Sequence, residues 1–346
     1  MRRLPVYLLI DTSESMVGPA IESVRTGLSA MLAALRKNPY ALEMGALGLI
    51  TFGGKAQKVS PLTEVYAFQT PDLNVKPGTT LGEAISLLGQ AISAEIVKTT
   101  PERKGDYKPL VFVLTDGQPT DEWRTAVERF KRDHKSVIVY AIGCGDDVDF
   151  SILKVLTENT YSMAQMDTEA FAKLFVCISS SIQSASGAIG EQGKQGGAIN
   201  LEKEAGGAVK RVETAETSKS RKKTQVFIPG VCQKMKKPYL LRHRLDNSTG
   251  KYICVTGHKL EKAFSKEEAG AIEKVSSNEL QGLVPCPHCG SQGHGHCECG
   301  TITCLDVTNP VQVGGVTGIK MLCPVCGKTG YMAVGGGSFD INQSTG

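Results

Sequence analysis

The chain has 346 residues, which at roughly 150 residues per domain indicates about two domains. Apolar residues make up 41% and charged residues 21%, a globular balance that excludes a disordered or fibrous chain. The net charge of +4 is too weak to make nucleic acid or an anionic membrane the main partner. No stretch approaches 18 consecutive apolar residues, so we expect no transmembrane helix.

The N-terminal segment predicts a strand and not an export signal. Its apolar stretch covers only residues 6–10 and leads directly into Asp11. A secretory signal has a longer apolar region that ends at small residues. We therefore expect a cytoplasmic protein.

Residues 1–186 alternate between predicted strands and helices. Fully apolar runs at 6–10 and 110–114 indicate strands that are covered on both faces. Further strands are predicted at 45–52, 55–60, 137–142 and 161–163, and helices at 19–37, 81–96, 120–130, 150–156 and 171–178. This alternation predicts an α/β fold with a doubly wound, mostly parallel sheet. Such sheets bind ligands beyond the carboxyl ends of their strands.

Residues 187–224 break the alternation, because the first half is rich in Gly and the second half in Lys, Glu, Thr and Ser. Burial of so few apolar side chains would not compensate for the conformational entropy lost on folding. We therefore predict a flexible linker. The linker separates an N-terminal domain, 1–186, from a smaller C-terminal domain, 225–346. Within the second domain we predict short strands and a helix at 265–275.

Three loops of the N-terminal domain carry short oxygen-bearing side chains. Asp11, Ser13 and Ser15 follow the first strand, Thr79 precedes the second predicted helix, and Asp116 follows the second fully apolar strand. If those strands are neighbours, the five side chains converge on a site that suits Mg²⁺ or another hard divalent cation. Only the two Asp residues carry charge, so the cation stays electrophilic. An Asp or Glu of a partner protein is then its natural sixth ligand.

This pattern resembles the von Willebrand factor A (vWA) family and its metal-ion-dependent adhesion site (MIDAS). The matching elements are Asp11-Thr12-Ser13-Glu14-Ser15, Gly78-Thr79 and Thr115-Asp116-Gly117. The resemblance covers about residues 4–184 and implies that the five oxygen-bearing residues ligate the metal. It favours Thr79 over Thr80 because Thr79 directly follows the glycine.

An enzyme is the disfavoured alternative. An Asp at the end of the first strand is also typical of haloacid-dehalogenase phosphatases, which need a second acid two residues later to protonate the leaving group. This chain has Ser13 at that position. The sequence also lacks a G-x-x-x-x-G-K-S/T loop and a G-x-S-x-G elbow. We therefore expect no catalysis, and a metal-dependent phosphatase is the least favoured function.

Eleven cysteines, seven of them near the C-terminus of a chain without an export signal, favour metal binding over disulfides. Two CPxCG motifs, at Cys286 and Cys289 and at Cys323 and Cys326, are typical of a zinc ribbon. We predict that the four sulfurs bind one Zn²⁺ tetrahedrally.

The cysteines between the two motifs predict a possible second zinc site. Its candidate ligands are Cys297, Cys299, Cys304 and His294. His288 or His296 is an alternative to His294, and Cys299 with Cys304 could instead replace one motif in the first site. Cys144 and Cys177 are expected to be ordinary core residues. Cys232 and Cys254, with His243 and His258, are weaker metal candidates, and we favour ordinary burial for these four.

A vWA domain followed by a linker and a CPxCG region resembles the TerY branch of the tellurium-resistance vWA proteins, whose members carry a C-terminal zinc-binding TerY-C domain. The segment 226–232 and both CPxCG motifs carry this second resemblance, over about residues 225–334. It implies a cytoplasmic adaptor linked to a protein phosphatase and a protein kinase in a tellurite-resistance-type stress response. Some transcription and repair complexes also pair vWA domains with zinc modules, so a subunit of a nucleic-acid-associated complex is the alternative.

Overall fold

The computed structural model describes residues 2–116, 118–145, 148–165, 167–192, 200–204, 209–213, 224–264, 273–313, 316–333 and 340–343. The chain divides into two compact units, Met1–Ser220 and Arg221–Thr345. The division falls within the segment that we predicted to be a linker. The predicted domain bounds at 186 and 225 stay predictions.

The described strands of the first unit form one sheet. They are β1 (Leu4–Asp11), β2 (Gly45–Phe52), β3 (Ala56–Glu64), β4 (Leu110–Thr115), β5 (Ile138–Cys144), β6 (Thr160–Met163) and β7 (Lys210–Arg211). Their order is β3-β2-β1-β4-β5-β6-β7. The five inner strands are parallel, and β3 and β7 pair antiparallel at the two edges. The predicted α/β fold with a mostly parallel sheet is confirmed.

Helices cover both faces of this sheet. They are α1 (Pro19–Lys37), α2 (Pro39–Met44), α3 (Leu81–Glu95), α4 (Arg124–Asp133), α5 (Phe150–Leu156), α6 (Thr168–Gln192) and α7 (Leu201–Glu204). Buried residues of α1, α2, α6 and α7 belong to one apolar cluster, and those of α3, α4 and α5 to a second. None of the described helices combines the length and apolar character needed to cross a membrane.

Strand β1 contributes to both apolar clusters. Leu8 and Ile10 pack on one face of the sheet, and Tyr7 and Leu9 pack on the other. Every one of these side chains is fully buried. A strand with no polar face must lie in the interior of a sheet, which explains the central position of β1.

The prediction of a flexible linker over 187–224 is wrong for the residues in that range that the structure describes. Helix α7 and strand β7 lie inside the range, and β7 pairs with β6. Leu201 and Val209 are fully buried in the core of the first unit. Two isolated apolar residues thus fix these short segments, although the composition of the range as a whole is polar. The remaining predicted linker residues, 193–199, 205–208 and 214–223, lie outside the described residues.

The described part of the second unit is built from short strands and a 3-10 turn. The strands are β8 (Gln225–Val231), β9 (Pro238–Asp246), β10 (Lys251–Lys259), β11 (Glu273–Ser276), β12 (Leu280–Gln281), β13 (Gly293–His296), β14 (Ile302–Leu305), β15 (Pro310–Val313), β16 (Val316–Leu322), β17 (Thr329–Ala333) and β18 (Asp340–Gln343). They form sheets in the orders β12-β10-β9-β8-β14-β13, β15-β16-β17 and β11-β18. The helix predicted at 265–275 falls on undescribed residues up to 272, and its last residues lie in β11 instead.

An ion pair joins the start of β1 to the segment that leads into β4. Arg3 donates hydrogen bonds to both carboxylate oxygens of Asp106, with 2.8 Å between Nη2 and Oδ2, and the backbone N–H of Val97 donates to Oδ2 at 2.9 Å. Burial alone would raise the pKa of Asp106. The hydrogen bonds outweigh burial and hold that pKa below its usual range.

We predict that Asp106→Asn lowers the free energy of unfolding by about 1–3 kcal/mol at neutral pH, because hydrogen bonds to a charged group are lost. A carboxylate with a depressed folded pKa stabilises the fold fully above its unfolded pKa of about 4, and the stabilisation is lost as pH falls through the folded value. Urea unfolding of both proteins from neutral pH to about pH 3 measures this difference. A difference that stays constant over that range contradicts the prediction.

Candidate metal sites

The central pair of parallel strands positions two loops of the predicted oxygen site. β1 and β4 are hydrogen-bonded neighbours, with Ile10 opposite Leu114. Asp11 ends β1 and Asp116 directly follows β4, so both carboxylates leave the same edge of the sheet. At this point the strand order turns from β3-β2-β1 to β4-β5-β6, where sheets of this kind bind their ligands.

Four of the five predicted ligands form one buried hydrogen-bonded network. The Ser15 hydroxyl donates to Asp116 Oδ1 at 2.7 Å, and the Ser13 and Ser15 hydroxyls are 2.9 Å apart. Asp11 accepts from the backbone N–H of Ser13 at 2.8 Å and from the Thr115 hydroxyl at 2.5 Å. The loops after β1 and β4 therefore bring two carboxylates and two hydroxyls together, as the sequence pattern requires.

The fifth predicted ligand, Thr79, lies in a loop that is tied to the other two. The backbone N–H of Gly78 donates to Glu14 Oε2 at 2.7 Å, and the backbone N–H of Thr79 donates to the Thr120 hydroxyl at 3.0 Å. The hydroxyl of Thr79 is itself fully buried and has no hydrogen-bond partner among the described residues. By contrast, the neighbouring hydroxyl of Thr80 donates to the carbonyl of Gly53 at 2.9 Å. The structure thus favours Thr79 over Thr80 as the residue that can offer a free oxygen.

Sequence reasoning missed the two residues that hold the Thr79 loop. Glu14 stands at a variable position of the D-x-S-x-S pattern, yet it is fully buried. Thr120 was expected to begin a helix at 120–130, but that helix begins at Arg124, and the Thr120 hydroxyl accepts the backbone N–H of Thr79 instead. Both contacts join residues that are far apart in the chain, so a local sequence pattern does not predict them.

The oxygen site fits a hard divalent cation. Its five predicted ligands are at most 7% exposed. Burial raises the pKa of Asp11 to about 6, although hydrogen bonds from Thr115 and Ser13 oppose the shift. A cation would stabilise the charged form of this carboxylate, and it would give the unpartnered Thr79 hydroxyl an interaction. Carboxylates and hydroxyls are also the oxygen ligands that Mg²⁺ accepts.

The cysteines of the second unit group differently from the prediction. One group, the Cys232 cluster, comprises Cys232, Cys286, Cys289 and Cys304. The other, the Cys297 cluster, comprises Cys297, Cys299, Cys323 and Cys326. The prediction that both CPxCG motifs share one zinc site is therefore wrong, because each motif belongs to a different cluster. Cys232, for which we favoured ordinary burial over metal binding, belongs to a group that could hold a metal ion.

Strand pairing explains this grouping. β8 and β14 are parallel neighbours with Val231 opposite Thr303, so the next residues along, Cys232 and Cys304, lie side by side. Their sulfurs are 3.7 Å apart. We predicted that Cys304 shares a site with Cys297 and Cys299 because the three are close in sequence. The pairing of β8 with β14 places Cys304 beside Cys232 instead.

The sulfur spacing in both clusters fits tetrahedral zinc. Within each cluster all sulfurs lie within 4.8 Å of one another. The sulfurs are 3.5 Å apart in Cys289–Cys304, 3.5 Å apart in Cys297–Cys326 and 3.6 Å apart in Cys299–Cys323. Zn–S bonds of about 2.3 Å imply tetrahedral edges of about 3.8 Å. All eleven cysteines are free of disulfides.

Cys232 sits in a turn with the backbone pattern of the CPxCG turns. Its N–H donates to the carbonyl of Lys237 at 2.8 Å, and the N–H of Lys236 donates to its carbonyl at 2.9 Å. The same two hydrogen bonds, at the same spacing, recur at Cys286 and at Cys323. The segment Cys232–Lys237 is therefore a third turn of this type, and we call such a cysteine-bearing turn a knuckle.

This third knuckle lacks the proline, the second cysteine and the glycine that make a CPxCG motif visible in sequence, and Gln233 stands in place of the proline. Met235 stands where the other turns have their second cysteine, and Lys236 stands where they have glycine. Lys236 has φ 56°, and it is the one described non-glycine residue in the left-handed region, whereas Gly290 and Gly327 have φ 75° and 72°. A left-handed lysine is uncommon, so the sequence carries no signal for this turn.

Hydrogen bonds favour one thiolate in each cluster. Burial opposes ionisation of Cys289, but hydrogen bonds from Ser291 outweigh it and lower the pKa of Cys289 to about 6. In the other cluster the Thr301 hydroxyl, 3.2 Å from the sulfur, lowers the pKa of Cys299 to about 6. The thiolate is the form that binds zinc, so both positions are prepared for metal.

The remaining candidates lie outside both clusters. His294, predicted as a possible zinc ligand, belongs to neither group. Its neighbour across the sheet is Cys304, but the His294 ring nitrogens are not part of the sulfur group, and the ring packs edge-on to Tyr239. Cys144, Cys177 and Cys254 are buried, as expected for core residues.

Family models match two parts of the chain. The von Willebrand factor type A domain matches residues 6–175, and the TerY-C metal binding domain matches residues 222–346. The chain is a TerY-like vWA protein. Its first unit holds the vWA domain and its second unit holds the TerY-C domain. Comparison with curated proteins found no match.

Solved structures also show similarity to the chain. Proximal thread matrix protein 1 from the mussel byssus is 13% identical, with 52% of this chain and 48% of that chain covered and a TM-score of 0.40. A second structure of that mussel protein, with zinc in its MIDAS motif, is 18% identical, with 54% and 46% covered and a TM-score of 0.38. A von Willebrand factor type A protein from Catenulispora acidiphila is 15% identical, with 53% and 43% covered and a TM-score of 0.41. In each case this chain covers less than half of the other protein.

We predict that Thr79→Val weakens Mg²⁺ binding to the vWA domain at least about tenfold, whereas Thr80→Val changes it by less than about threefold. Of these two threonines, Thr79 has the hydroxyl without a hydrogen-bond partner in the described structure, so its oxygen is available to a cation. Calorimetric titration of the full chain with Mg²⁺ measures both affinities. Without added magnesium, Thr79→Val should unfold at no lower temperature than wild type, because it loses no hydrogen bond. Equal Mg²⁺ affinities of the two variants would contradict the assignment.

We predict two zinc ions per chain, one for each cluster. Cys232→Ser should remove one ion and Cys297→Ser the other, because each substitution leaves a site with three sulfurs. Cys254→Ala is the matched control and should keep both, since this buried cysteine belongs to neither cluster. Native mass spectrometry of the purified chains counts the bound ions. Retention of both ions by Cys232→Ser would contradict the grouping.

Proposed function

We propose that this protein is a non-catalytic adaptor that docks partner proteins through a divalent cation in its vWA domain. The ligand set at the carboxyl ends of β1 and β4 supports this function most directly. Two carboxylates formally balance a dication, and hydroxyl ligands add no charge. A cation held in this way keeps a strong affinity for one more carboxylate, which an Asp or Glu of the partner would supply.

The carboxylate of Glu14 also lies near the site, but it is engaged in holding two loops together. Glu14 is fully buried, and its Oε2 accepts the backbone N–H of Gly78 at 2.7 Å. That contact joins the loop after β1 to the loop that carries Thr79. We therefore assign Glu14 to positioning the ligands and not to binding the cation.

The depth of the site restricts what can reach it. With ligands that are at most 7% exposed, the cation would lie in a recess. A flat surface does not enter a recess, whereas a single extended acidic side chain does. A partner that presents Asp or Glu on a projecting loop fits this shape.

The same residues argue against catalysis. Phosphatases with a nucleophilic Asp require a second acid that protonates the leaving group, and Ser13 stands at that position. Its hydroxyl lies 2.9 Å from the Ser15 hydroxyl and 3.5 Å from Asp116 Oδ1. A serine hydroxyl does not release a proton near neutral pH, so the second half of that reaction has no acid.

The TerY-C domain would bind two zinc ions in structural sites. Four sulfurs surround each position, and a closed tetrahedral site leaves no place for a substrate. The described apolar clusters of this unit are small and include the cysteines themselves. Zinc binding would therefore contribute much of the folding free energy of the domain.

The finer assignment follows the family resemblance. We propose that the adaptor works in the cytoplasm, that Mg²⁺ is the cation of the vWA domain, and that the partners are a protein phosphatase and a protein kinase of a tellurite-resistance-type stress response. The TerY-C match supports the link to tellurite resistance. The identity of the partners rests on the resemblance alone.

We predict that Asp116→Ala abolishes magnesium-dependent capture of a partner while both zinc ions stay bound. Tagged wild type, Asp116→Ala and Thr80→Val are purified from the native host in Mg²⁺, and co-purified proteins are quantified by mass spectrometry. Wild type and Thr80→Val should retain the same partner, and Asp116→Ala should retain at least about tenfold less, because one of the two balancing charges is gone. A chelator alone would be ambiguous because it also removes zinc, which is why the variant is needed.

Three outcomes would overturn the adaptor function. Equal capture by wild type and Asp116→Ala would remove the docking mechanism. Hydrolysis of 4-nitrophenyl phosphate that Asp11→Asn abolishes would establish a phosphatase. Strongly salt-dependent binding to DNA or RNA would favour a nucleic-acid-associated subunit.

A further inference from the structure

A cavity of about 260 Å³ lies in the described part of the TerY-C domain, outside both cysteine clusters. Its walls are mostly apolar and include Ile228, Leu241 and Ile302. Two imidazoles, those of His243 and His294, also line it. A cavity of about 150 Å³ is enough to hold benzene, so this one has room for a substituted aromatic ring.

The two imidazoles carry buried nitrogens that no well-aligned hydrogen bond in the described structure satisfies. His243 is 3% exposed, and its Nδ1 makes no well-aligned hydrogen bond, although the nearby carbonyls of Leu241 and Val226 partly offset the effect of burial on its pKa. Both ring nitrogens of His294 are likewise buried without a partner. Buried polar atoms are normally hydrogen-bonded, so these nitrogens require an explanation. A ligand in the cavity would supply the missing partners.

The charge of the walls restricts the ligand. Burial lowers the pKa of His243 and of His294 to about 4, so both rings are neutral at neutral pH. No Lys, Arg, Asp or Glu is among the described residues that line the cavity. An ionic ligand would find no counter-charge there. A neutral imidazole offers one donor and one acceptor, and a hydroxyl group complements both.

We infer that this cavity binds a small uncharged molecule that carries a hydroxyl group on an apolar, ring-sized body. The hydroxyl bonds to His294 and His243, and the body packs against the aliphatic walls. This ligand site is separate from the metal-dependent docking site and does not depend on it.

Phenol and toluene test the inference, because they share one ring and differ by a hydroxyl or a methyl group. The full chain with its zinc is titrated with each compound, and histidine ring signals are followed by NMR. Phenol should shift the His243 and His294 signals saturably, with an affinity at least about tenfold higher than that of toluene. In His294→Phe, the two affinities should lie within about threefold of each other.

Two further variants serve as controls. His258→Phe removes another imidazole with a buried unpartnered nitrogen, outside the cavity, and should preserve the preference for phenol. Leu283→Trp changes a lining residue that is 61% exposed, so the fold should tolerate it while the larger ring blocks the cavity. This variant should lose phenol binding and keep its zinc, which tests the site even if His294→Phe does not fold.

Several results would overturn the inference. These are the absence of saturable shifts with phenol, equal affinities of wild type for phenol and toluene, and the same loss of preference in His258→Phe as in His294→Phe. A third bound metal ion that disappears in His294→Phe would show that the imidazoles serve a metal site instead.

Discussion

When two parallel strands lie side by side, the loops that leave their carboxyl ends come close together. β1 and β4 are such a pair, with Ile10 opposite Leu114. Both strands are apolar throughout, so a shift of one residue would turn core side chains to the wrong face of the sheet. The packing of the two apolar clusters therefore fixes the register, and the register fixes the relative position of Asp11 and Asp116. The metal site of the vWA domain inherits its geometry from the core beneath it.

The elements of the vWA domain could be predicted from local sequence, because each carries its own periodicity. The apolar runs of β1 and β4 and the helical spacing in α1 are signals of this kind. The five candidate oxygen ligands could be named from the sequence because they stand beside such elements, and the structure brings four of them into one hydrogen-bonded network. Glu14 and Thr120 could not, since their roles depend on backbone N–H groups more than forty residues away along the chain.

The cysteines show a different limit of sequence reasoning. Counting and spacing correctly indicated metal sites, and the two CPxCG motifs each mark one half of a cluster. The other half comes from residues whose nearness is created by the fold. Cys232 joins Cys304 only because β8 pairs with β14, and the turn at Cys232 is hidden by Met235 and Lys236.

The two domains offer opposite kinds of ligand. The vWA domain presents oxygen atoms, which suit a hard cation, and the TerY-C domain presents sulfur atoms, which suit a soft one. If the two sites hold different metals, this difference in ligand chemistry would limit the competition between them, even though both kinds of site lie in one chain.

The cysteines of the two clusters alternate along the chain, with Cys297 and Cys299 lying between Cys289 and Cys304. As a ribosome extends the chain, the first thiols that follow Cys289 belong to the wrong cluster. A metal ion held by Cys289 together with Cys297 would be in a mixed set, and the Cys232 cluster would be complete only after β14 had emerged and paired with β8. Sorting of the thiols thus waits for the sheet, and the interleaved order makes the TerY-C domain a single assembly that no cut between the clusters would leave intact.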